Sequence, residues 1–337
     1  MKSTIPAIHI YLAPFQGITG VTFRKVYSAF FQGVDKLYTP FFTAINNELK
    51  LPARRLAELG NTSENGVEVV PQILSKDASE IIRFTLFCEK KGFRELNWNL
   101  GCPYPMVANK KRGSGMLPYP EMVNEILDRV MTETNLRFSV KCRLGYLSSD
   151  EIYSLIPIFN QHKIAELTIH ARIGKQLYTG ETDLETFQKT ISLLTVPIVY
   201  NGDIFSRNNF EKISERFPLI NTFMIGRGLL SDPFLPAIIK GLPLPTDRQI
   251  HIRRFIDALY LAYRKDKHDS LAVLGNLKEY WHYLAESFND PHQVFKKLKK
   301  VNTFDEYEEA VSHVFREYRW EGSEKAINRD DRRFYQV

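Results

Sequence analysis

A regular alternation of short β-like runs and longer amphipathic stretches constrains this chain more than any other feature. Eight β-like runs span residues 8–12, 36–39, 67–73, 95–100, 137–143, 165–170, 197–201 and 222–225. Stretches with the length and period of helices lie between most of them, most clearly at residues 77–91, 121–131, 152–160, 184–194 and 208–216. Such alternation favours parallel strands joined by crossover helices.

The number of repeating units distinguishes a closed barrel from an open sheet. Eight strand–helix units within about 240 residues are typical of the TIM (β/α)8 barrel, an α/β fold of about 250 residues. A doubly wound open sheet is the alternative, and its dinucleotide-binding form carries Gly-x-Gly-x-x-Gly after the first strand. Here the first turn reads Ala13-Pro14-Phe15-Gln16-Gly17. We therefore predict a TIM barrel.

A Pro-rich break follows the last of these units. It reads Gly241-Leu-Pro243-Leu-Pro245, and beyond it helical patterns cover residues 247–264, 270–287, 291–300 and 305–320. The final residues, 321–337, are rich in charge and predict a loose tail. The sequence thus predicts a barrel domain at 1–240, followed at 241–337 by a small all-α helical domain with a charged C-terminal tail.

Composition narrows the cellular setting and the class of partner. The 337 residues include only three cysteines, too few for a disulfide framework, so we expect a reducing, cytoplasmic location. No apolar run approaches the ~20 residues that a membrane helix needs, and we expect no membrane association. The net charge of +6 and the pI near 9.0 are compatible with a polyanionic partner without requiring one. A monomer is the default expectation.

Polar side chains occur at strand positions that should face the barrel interior. Residues two apart on a strand share a face, and the apolar face of the 137–143 run must meet the helices, so Lys141 and Arg143 point inward. The same alternation turns four more polar residues inward: Gln72, Asn97, Asn99 and His170. Buried polar groups are costly unless they are paired, and the carboxyl ends of TIM-barrel strands carry the active sites. We therefore predict a site there.

Glycine-flanked loops follow the last two β-like runs. They read Asn201-Gly202-Asp203 and Gly226-Arg227-Gly228. Glycine lets backbone N–H groups approach an anion, and TIM barrels often hold a phosphate in the loops after strands seven and eight. With Arg227 as a fixed cation and Lys141 as a cation beside the reduced ring, the residues fit flavin mononucleotide (FMN). A metal is not expected, because no His-x-x-x-His or Cys-x-x-Cys spacing is present.

One cysteine stands in a position unlike that of the other two. Cys102 lies between Gly101 and Pro103 in a stiff turn after a β-like run, whereas Cys88 and Cys142 occupy positions where packing is expected. A thiol with the usual pKa of about 8.5 is protonated at neutral pH, so we predict Cys102 as a catalytic acid. Three basic residues that follow it would favour the thiolate unless RNA phosphates engage them: Lys110, Lys111 and Arg112.

The chain resembles the tRNA-dihydrouridine synthase family over about residues 8 to 235. The most specific matches are Asn97-Trp-Asn-Leu-Gly101-Cys102-Pro103, His170-Ala171-Arg172 and Gly226-Arg227-Gly228-Leu-Leu230. Further matches are Leu12-Ala13-Pro14, Pro71-Gln72-Ile73, Val140-Lys141-Cys142-Arg143, Tyr178-Thr-Gly180 and Asn201-Gly202-Asp203-Ile204. The C-terminal part matches only loosely, through Lys278-Glu-Tyr-Trp281. The chain departs from the family at Phe15, where methionine is usual, and at Tyr104-Pro105, where small or polar residues are commoner.

The resemblance implies an FMN enzyme, reduced by NADPH, that converts uridines of tRNA to dihydrouridine. Hydride would reach C6 of the uracil, and Cys102 would protonate C5. The residues that the resemblance assigns to the cofactor are Ala13, Pro14, Phe15, Gln72, Asn97, Lys141, His170, Asn201, Gly202, Asp203, Gly226 and Arg227. Those expected near the uracil or the tRNA are Asn99, Arg143, Arg172, Lys110, Lys111, Arg112, Lys296, Lys297, Lys299 and Lys300.

Two other functions remain compatible with the sequence. An FMN barrel that acts on a free pyrimidine, of the dihydroorotate dehydrogenase type, would need neither the basic loop nor the helical domain. A barrel that binds RNA without chemistry would not need Cys102 or Lys141. No motif indicates which uridine of a tRNA is modified.

Overall fold

The computed structural model describes residues 7–45, 48–266 and 270–323. Its strands are β1 (His9–Leu12), β2 (Lys36–Tyr38), β3 (Ser63–Glu64), β4 (Val67–Val70), β5 (Gln72–Ile73), β6 (Glu95–Leu100), β7 (Arg137–Gly145), β8 (Glu166–Ile173), β9 (Ile198–Asn201) and β10 (Thr222–Ile225). All predicted β-like runs form strands. The run at 67–73 divides into β4 and β5, and the short β3, antiparallel to β4, was not predicted.

The parallel strands close into a barrel. With the antiparallel β3 at one edge, the order of strands in the sheet is β3-β4-β2-β1-β10-β9-β8-β7-β6-β5. β4 and β5, near opposite ends of this order, belong to one stretch of chain that is interrupted only at Pro71. Proline has no backbone N–H and cannot continue the ladder as a donor, but the Pro71 carbonyl accepts from the Asn97 N–H at 2.9 Å and so joins this stretch to β6. The predicted TIM barrel is confirmed.

Helices connect the strands and continue after the barrel. They are α1 (Val21–Phe30), α2 (Ala53–Ala57), α3 (Ala78–Lys90), α4 (Pro105–Ala108), α5 (Pro120–Glu133), α6 (Glu151–His162), α7 (Leu184–Leu193), α8 (Arg207–Arg216), α9 (Arg227–Ser231), α10 (Leu235–Lys240), α11 (Arg248–Asp266), α12 (Ser270–Leu284), α13 (Pro291–Leu298) and α14 (Phe304–Glu317). Side chains cap several of them; the Asp77 carboxylate, for example, accepts from two backbone N–H groups at the start of α3.

Side-chain alternation along the strands separates two apolar regions. Trp98, Val140 and Cys142 are wholly buried in the large core between the barrel and its helices, as their alternation predicts. A smaller apolar cluster fills the barrel interior: Tyr11, Ala13, Tyr38, Val70, Val199 and Met224. The interior is therefore apolar only in part, and the remaining inward positions carry polar side chains.

The helices after the barrel pack directly on its first helix. The ring of Phe255 in α11 lies 6.2 Å from Phe23 and 4.8 Å from Phe31. The ring of Tyr280 in α12 lies 5.2 Å from Phe23. These aromatic side chains belong to one continuous core that extends from the barrel helices into the C-terminal helices.

The predicted break coincides with the end of α10. Gly241 takes a φ of 64° there, in the left-handed region that glycine favours at helix ends. Of the predicted tail at 321–337, residues 324–337 lie outside the described residues. In the described part of the chain, none of the helices has the length and apolar character needed to cross a bilayer.

Candidate active site

A pocket opens at the carboxyl ends of the barrel strands. The predicted site residues that line it are Ala13, Pro14, Phe15, Gln72, Asn99, Cys102, Lys141, Arg143, His170, Asn201, Gly202, Asp203, Gly226 and Arg227. Parallel strands present their carboxyl ends at one face of a barrel, so residues from widely separated parts of the sequence meet there. Two predicted site residues, Asn97 and Arg172, are buried outside this lining.

Buried amides beneath the pocket form a hydrogen-bonded ladder. Asn99 Nδ2 donates to Gln72 Oε1 at 2.8 Å, and Gln72 Nε2 donates to Asn97 Oδ1 at 2.8 Å. Asn97 Nδ2 donates to Ser139 Oγ at 2.9 Å, and Ser139 donates to Glu95 Oε1 at 2.6 Å. The amides of Asn97 and Gln72 are thus each bonded at both ends within the ladder. Gln72 and Asn99 line the pocket, whereas Asn97, predicted to contact the cofactor, lies one step below it.

Asn99 connects this ladder to the cysteine loop. Its Oδ1 accepts from the backbone N–H groups of Gly101 and Cys102, each at 2.9 Å. Both lone pairs of this oxygen are then used, so the Asn99 amide offers only an N–H donor to the pocket. On the other side, the N–H and the hydroxyl of Ser114 both donate to the Cys102 carbonyl at 3.0 Å. The backbone of Cys102 is thus held from two directions.

Cys102 lies in the pocket wall with 8% of the surface of the whole residue exposed. Burial raises its pKa above the usual value, and this outweighs the lowering by the backbone N–H of Tyr104 and by the charges of Arg143 and Lys141. The thiol is consequently protonated at neutral pH. A protonated thiol is the form that can donate a proton.

The three basic residues after Cys102 point in different directions. Lys111 Nζ lies 4.0 Å from the centre of the Tyr119 ring, Arg112 Nη1 lies 3.5 Å from Thr43 Oγ1, and Lys110 is exposed. The cations that act on the thiol come from β7 instead. RNA phosphates are therefore not required to keep the thiol protonated, contrary to the expectation from the sequence. Four further predicted RNA contacts are exposed on and just after α13: Lys296, Lys297, Lys299 and Lys300.

Lys141 supplies a cation inside the barrel mouth. Its Nζ donates to Asn201 Oδ1 at 3.0 Å, and Asn201 Nδ2 donates to the Met224 carbonyl at 2.8 Å. Burial, followed by the charge of Arg143, lowers the pKa of Lys141 to about 8. The amine is thus charged at neutral pH and loses its charge in mild alkali.

His170 is a neutral imidazole. Burial lowers its pKa well below the usual value, and the charges of Arg143, Lys141 and other nearby cations act in the same direction. Arg172 Nη1 lies 3.3 Å from His170 Nε2. A guanidinium can only donate, so Nε2 is the acceptor and Nδ1 carries the proton.

Asp203 joins two arginines at the edge of the pocket. Arg172 Nη1 donates to Asp203 Oδ1 at 2.8 Å, and Arg227 Nη2 donates to the same oxygen at 2.8 Å. Arg172 also donates to the Gly180 carbonyl and is wholly buried. It therefore holds Asp203 from beneath the pocket, and its predicted place near the uracil or the flavin stays a prediction. One carboxylate between two guanidinium groups leaves a net positive charge here, which suits an anionic group.

The mouth of the pocket has an aromatic and acidic rim that the sequence prediction did not identify. Tyr104 and Tyr178 belong to it, and α12 adds Glu279 and Tyr283. The Tyr283 ring lies 5.8 Å from that of Phe15. Tyr178 lies within a motif that carried the family resemblance. No sequence motif pointed to Glu279 and Tyr283 as pocket residues, because α12 reaches the pocket only when the chain folds and this helix packs over the barrel.

The fold and the site together define a TIM-barrel enzyme with a cationic pocket and a protonated cysteine at its mouth. The chain also matches the family model for dihydrouridine synthase over residues 11–319. The chain belongs to the dihydrouridine synthase family. It is therefore an oxidoreductase, and its family indicates a flavin cofactor. In the ranges that the structure describes, no cluster of three or more His, Cys, Asp or Glu side chains is arranged to hold a metal.

Individual relatives agree with the family assignment. The chain is 28% identical to the tRNA-dihydrouridine synthase B of Pasteurella multocida over 69% of each chain. It is 24% identical to a tRNA-dihydrouridine(16) synthase of Vibrio parahaemolyticus, covering 92% of this chain and 96% of that one. A Haemophilus ducreyi protein of the same name is 24% identical over the full length of both chains.

Solved structures show the same barrel at low sequence identity. The old yellow enzyme homologue of Zymomonas mobilis superposes with a TM-score of 0.51 at 11% identity, covering 72% of this chain and 91% of that one. Histamine dehydrogenase from Rhizobium gives a TM-score of 0.53 at 11% identity, covering 75% of this chain and 49% of that one. These similarities establish the fold.

Proposed function

We propose that this chain reduces the C5–C6 double bond of uridines in tRNA to give dihydrouridine, with FMN as the flavin and NADPH as its reductant. The observation that carries the proposal is that Cys102 and Lys141 line one pocket at the barrel mouth, in a chain of the dihydrouridine synthase family. The names of the relatives support tRNA as the substrate. We further propose that the protein acts as a monomer in the cytoplasm, where its free cysteines would remain reduced.

The pocket residues fit FMN in charge and in hydrogen-bonding groups. Gln72, Lys141 and His170 would contact the ring, with Ala13, Pro14 and Phe15 under it. Asn201 to Asp203 and Gly226 to Arg227 would hold the ribityl chain and phosphate. The two loops approach each other so closely that a Cβ at Gly228 would lie 2.0 Å from the Ile204 carbonyl, so glycine is required where they meet. The flavin, when bound, supplies the hydride.

Protein side chains would then supply the proton and the charge. As hydride reaches C6, Cys102 transfers its proton to C5 and becomes a thiolate. The Tyr104 N–H and the cations Arg143 and Lys141 stabilise that thiolate, because the interactions that lower the thiol pKa act on its charged form. Solvent restores the proton before the next turnover.

Several features fit an RNA substrate better than a free pyrimidine. A uridine must leave the base stack to enter a barrel mouth, and aromatic rims and exposed lysines are the groups that bind a displaced base and its phosphates. The wall supplied by Glu279 and Tyr283 gives the helical domain a role at the pocket that a small free substrate would not require. The dihydroorotate dehydrogenase type is therefore the weaker alternative.

The test is to delete the gene and to map dihydrouridine in total tRNA. We expect one or a few positions to lose the modification, and position 16 should be examined first because two relatives of matching length are named for it. The purified protein should be yellow and should restore the modification in vitro with NADPH. Unchanged tRNA would contradict the proposal, and a colourless, RNA-binding protein would favour the non-catalytic alternative.

A further inference from the structure

In the amide ladder under the pocket, every hydrogen bond is donated downward, and this direction of donation is set by the residues at the lower end. Glu95 Oε2 accepts from Lys36 Nζ at 2.9 Å, and Glu95 Oε1 accepts from Ser139 Oγ at 2.6 Å. A carboxylate paired with an ammonium group can only accept. The single hydroxyl hydrogen of Ser139 therefore points to Glu95, and the Ser139 oxygen must accept from above. It does so from Asn97 Nδ2 at 2.9 Å.

The orientation of Ser139 in turn determines the orientation of the three amides above it. An amide that turns over exchanges its donor and acceptor with almost no change in shape, so packing alone does not decide its orientation. Because Asn97 Nδ2 points down to Ser139, its Oδ1 must accept from Gln72. Gln72 Oε1 then accepts from Asn99, which leaves Asn99 Oδ1 facing the cysteine loop.

The top of the ladder meets the backbone of the catalytic loop. Asn99 Oδ1 accepts from the N–H groups of Gly101 and Cys102. If Asn99 were turned over, its NH2 group would face two N–H donors, and the loop would have to move away. The geometry of the loop therefore depends on a carboxylate several strand positions below it.

We propose that Glu95 and Ser139 are positioning residues for the Cys102 thiol, acting through the fixed orientation of Asn97, Gln72 and Asn99. The proposal deepens the proposed function, because it takes Cys102 as the acid of that reaction. Neither Glu95 nor Ser139 lines the pocket, and both are buried. Their effect on the thiol is indirect and can be measured without tRNA.

The first experiment compares Ser139→Ala with Ser139→Thr. Alanine removes the hydroxyl oxygen that accepts from Asn97 Nδ2 and fixes the orientation of that amide, while threonine keeps a hydroxyl there. The readout is the rate at which iodoacetamide alkylates Cys102 in the folded protein, followed by mass spectrometry from pH 6 to 10. The other two cysteines are wholly buried and serve as internal references: Cys88 and Cys142. We expect about three- to tenfold faster alkylation in Ser139→Ala, the factor for losing one hydrogen bond, and less than a twofold change in Ser139→Thr.

The second experiment compares Glu95→Gln with Glu166→Gln. Both carboxylates face Lys36, Glu95 at 2.9 Å and Glu166 at 3.7 Å, so each variant weakens one ion pair of the same buried lysine. Glu166 accepts from the Tyr11 hydroxyl and is not bonded to the ladder amides. Glutamine at 95 can donate to Ser139 and permits the whole ladder to reverse. We expect Glu95→Gln to change the pH profile of Cys102 alkylation and the absorbance spectrum of bound flavin, and Glu166→Gln to change neither.

The outcomes separate this inference from the proposed function. Wild-type alkylation in Ser139→Ala would overturn the inference, as would equal effects in Ser139→Ala and Ser139→Thr, or in the two glutamate variants. Thermal melting of each variant shows that it is folded before alkylation is measured. If the wild-type protein forms no dihydrouridine, the proposed function fails, whereas the contrast in alkylation between the variants still decides whether the ladder positions the thiol.

Discussion

At the scale of single residues, two opposing influences act on the thiol of Cys102. Burial raises its pKa, while Arg143 and Lys141 lower it, and burial has the larger effect. The exposed lysines nearby in sequence contribute less than their proximity suggests, because solvent screens them and one of them, Lys111, packs on the Tyr119 ring. A cysteine in this position suits the role of an acid better than that of a nucleophile.

Replacement of the proposed acid should separate chemistry from cofactor binding. In Cys102→Ala we expect flavin content to stay at the wild-type level, because the proposed ring contacts come from other residues. Uridine reduction on tRNA should fall by about 10²–10⁴-fold, the usual contribution of a positioned general acid. Single-turnover formation of dihydrouridine measures this, and full activity in the variant would remove Cys102 from the mechanism.

Lys141 should give flavin reduction a dependence on pH. Because its pKa is lowered to about 8, the amine is charged below that pH and neutral above it. The rate of flavin reduction by NADPH should therefore fall as the pH rises through about 8. Stopped-flow traces should show that Lys141→Arg, which stays charged, loses this falling limb and that Lys141→Met is slow throughout. If the rate of flavin reduction in Lys141→Met still fell as the pH rose through about 8, the titrating group would be one other than Lys141.

At the scale of elements, α12 carries a glycine that its helix does not need. Gly275 lies inside α12, and a Cβ there would meet open space. Gly275→Ala should raise the free energy of unfolding by about 0.5–1 kcal/mol in urea denaturation, because alanine loses less backbone entropy in a helix. Gly17→Ala is the opposite control: its φ of +88° is strained for alanine, and the added Cβ would lie 2.6 Å from the Glu279 carboxylate, so stability should fall.

The basic face of α13 should bind RNA through charge. Replacing the four exposed lysines on and just after α13 with glutamine should weaken tRNA binding. It should also flatten the dependence of binding on salt by about 0.7–0.9 in log–log slope for each phosphate that the lysines no longer neutralise. The lysines concerned are Lys296, Lys297, Lys299 and Lys300. Matched controls are Lys189→Gln on α7 and Lys212→Gln on α8, which are also exposed. Filter binding across a series of salt concentrations measures the slope, and an equal slope in all variants would exclude α13 from the interface.

At the scale of the whole molecule, the barrel and the C-terminal helices share one core, and we expect them to unfold together. Two of the three tryptophans report on the two parts: Trp98 lies in β6, and Trp281 lies in α12. In variants that retain Trp98 or Trp281 as their only tryptophan, the fluorescence midpoint should equal the circular dichroism midpoint of the same variant. Two separate transitions would show that the boundary predicted at residue 241 divides independently stable domains.

Local sequence patterns were sufficient to predict the barrel and many of the side chains that line its mouth. Strand alternation depends only on neighbouring residues, so it correctly turned Gln72, Lys141 and His170 inward and Trp98 and Cys142 outward. The same reasoning could not distinguish Asn97 from Asn99, because both share a face. Only the depth of each amide in the closed barrel, and the partners it finds there, places Asn97 low in the ladder and Asn99 at its top, beside the pocket.

The sequence by itself determined the alternating units, the inward polar side chains and the unusual position of Cys102, since all of these follow from local periodicity and residue chemistry. Tertiary structure alone decided which charges reach the thiol, why Arg172 binds Asp203, and how α12 closes the pocket with Glu279 and Tyr283. The physical reason is that hydrogen bonds, ion pairs and burial depend on distances between residues far apart in the chain. Those distances exist only after the barrel has closed and the helices have packed on it.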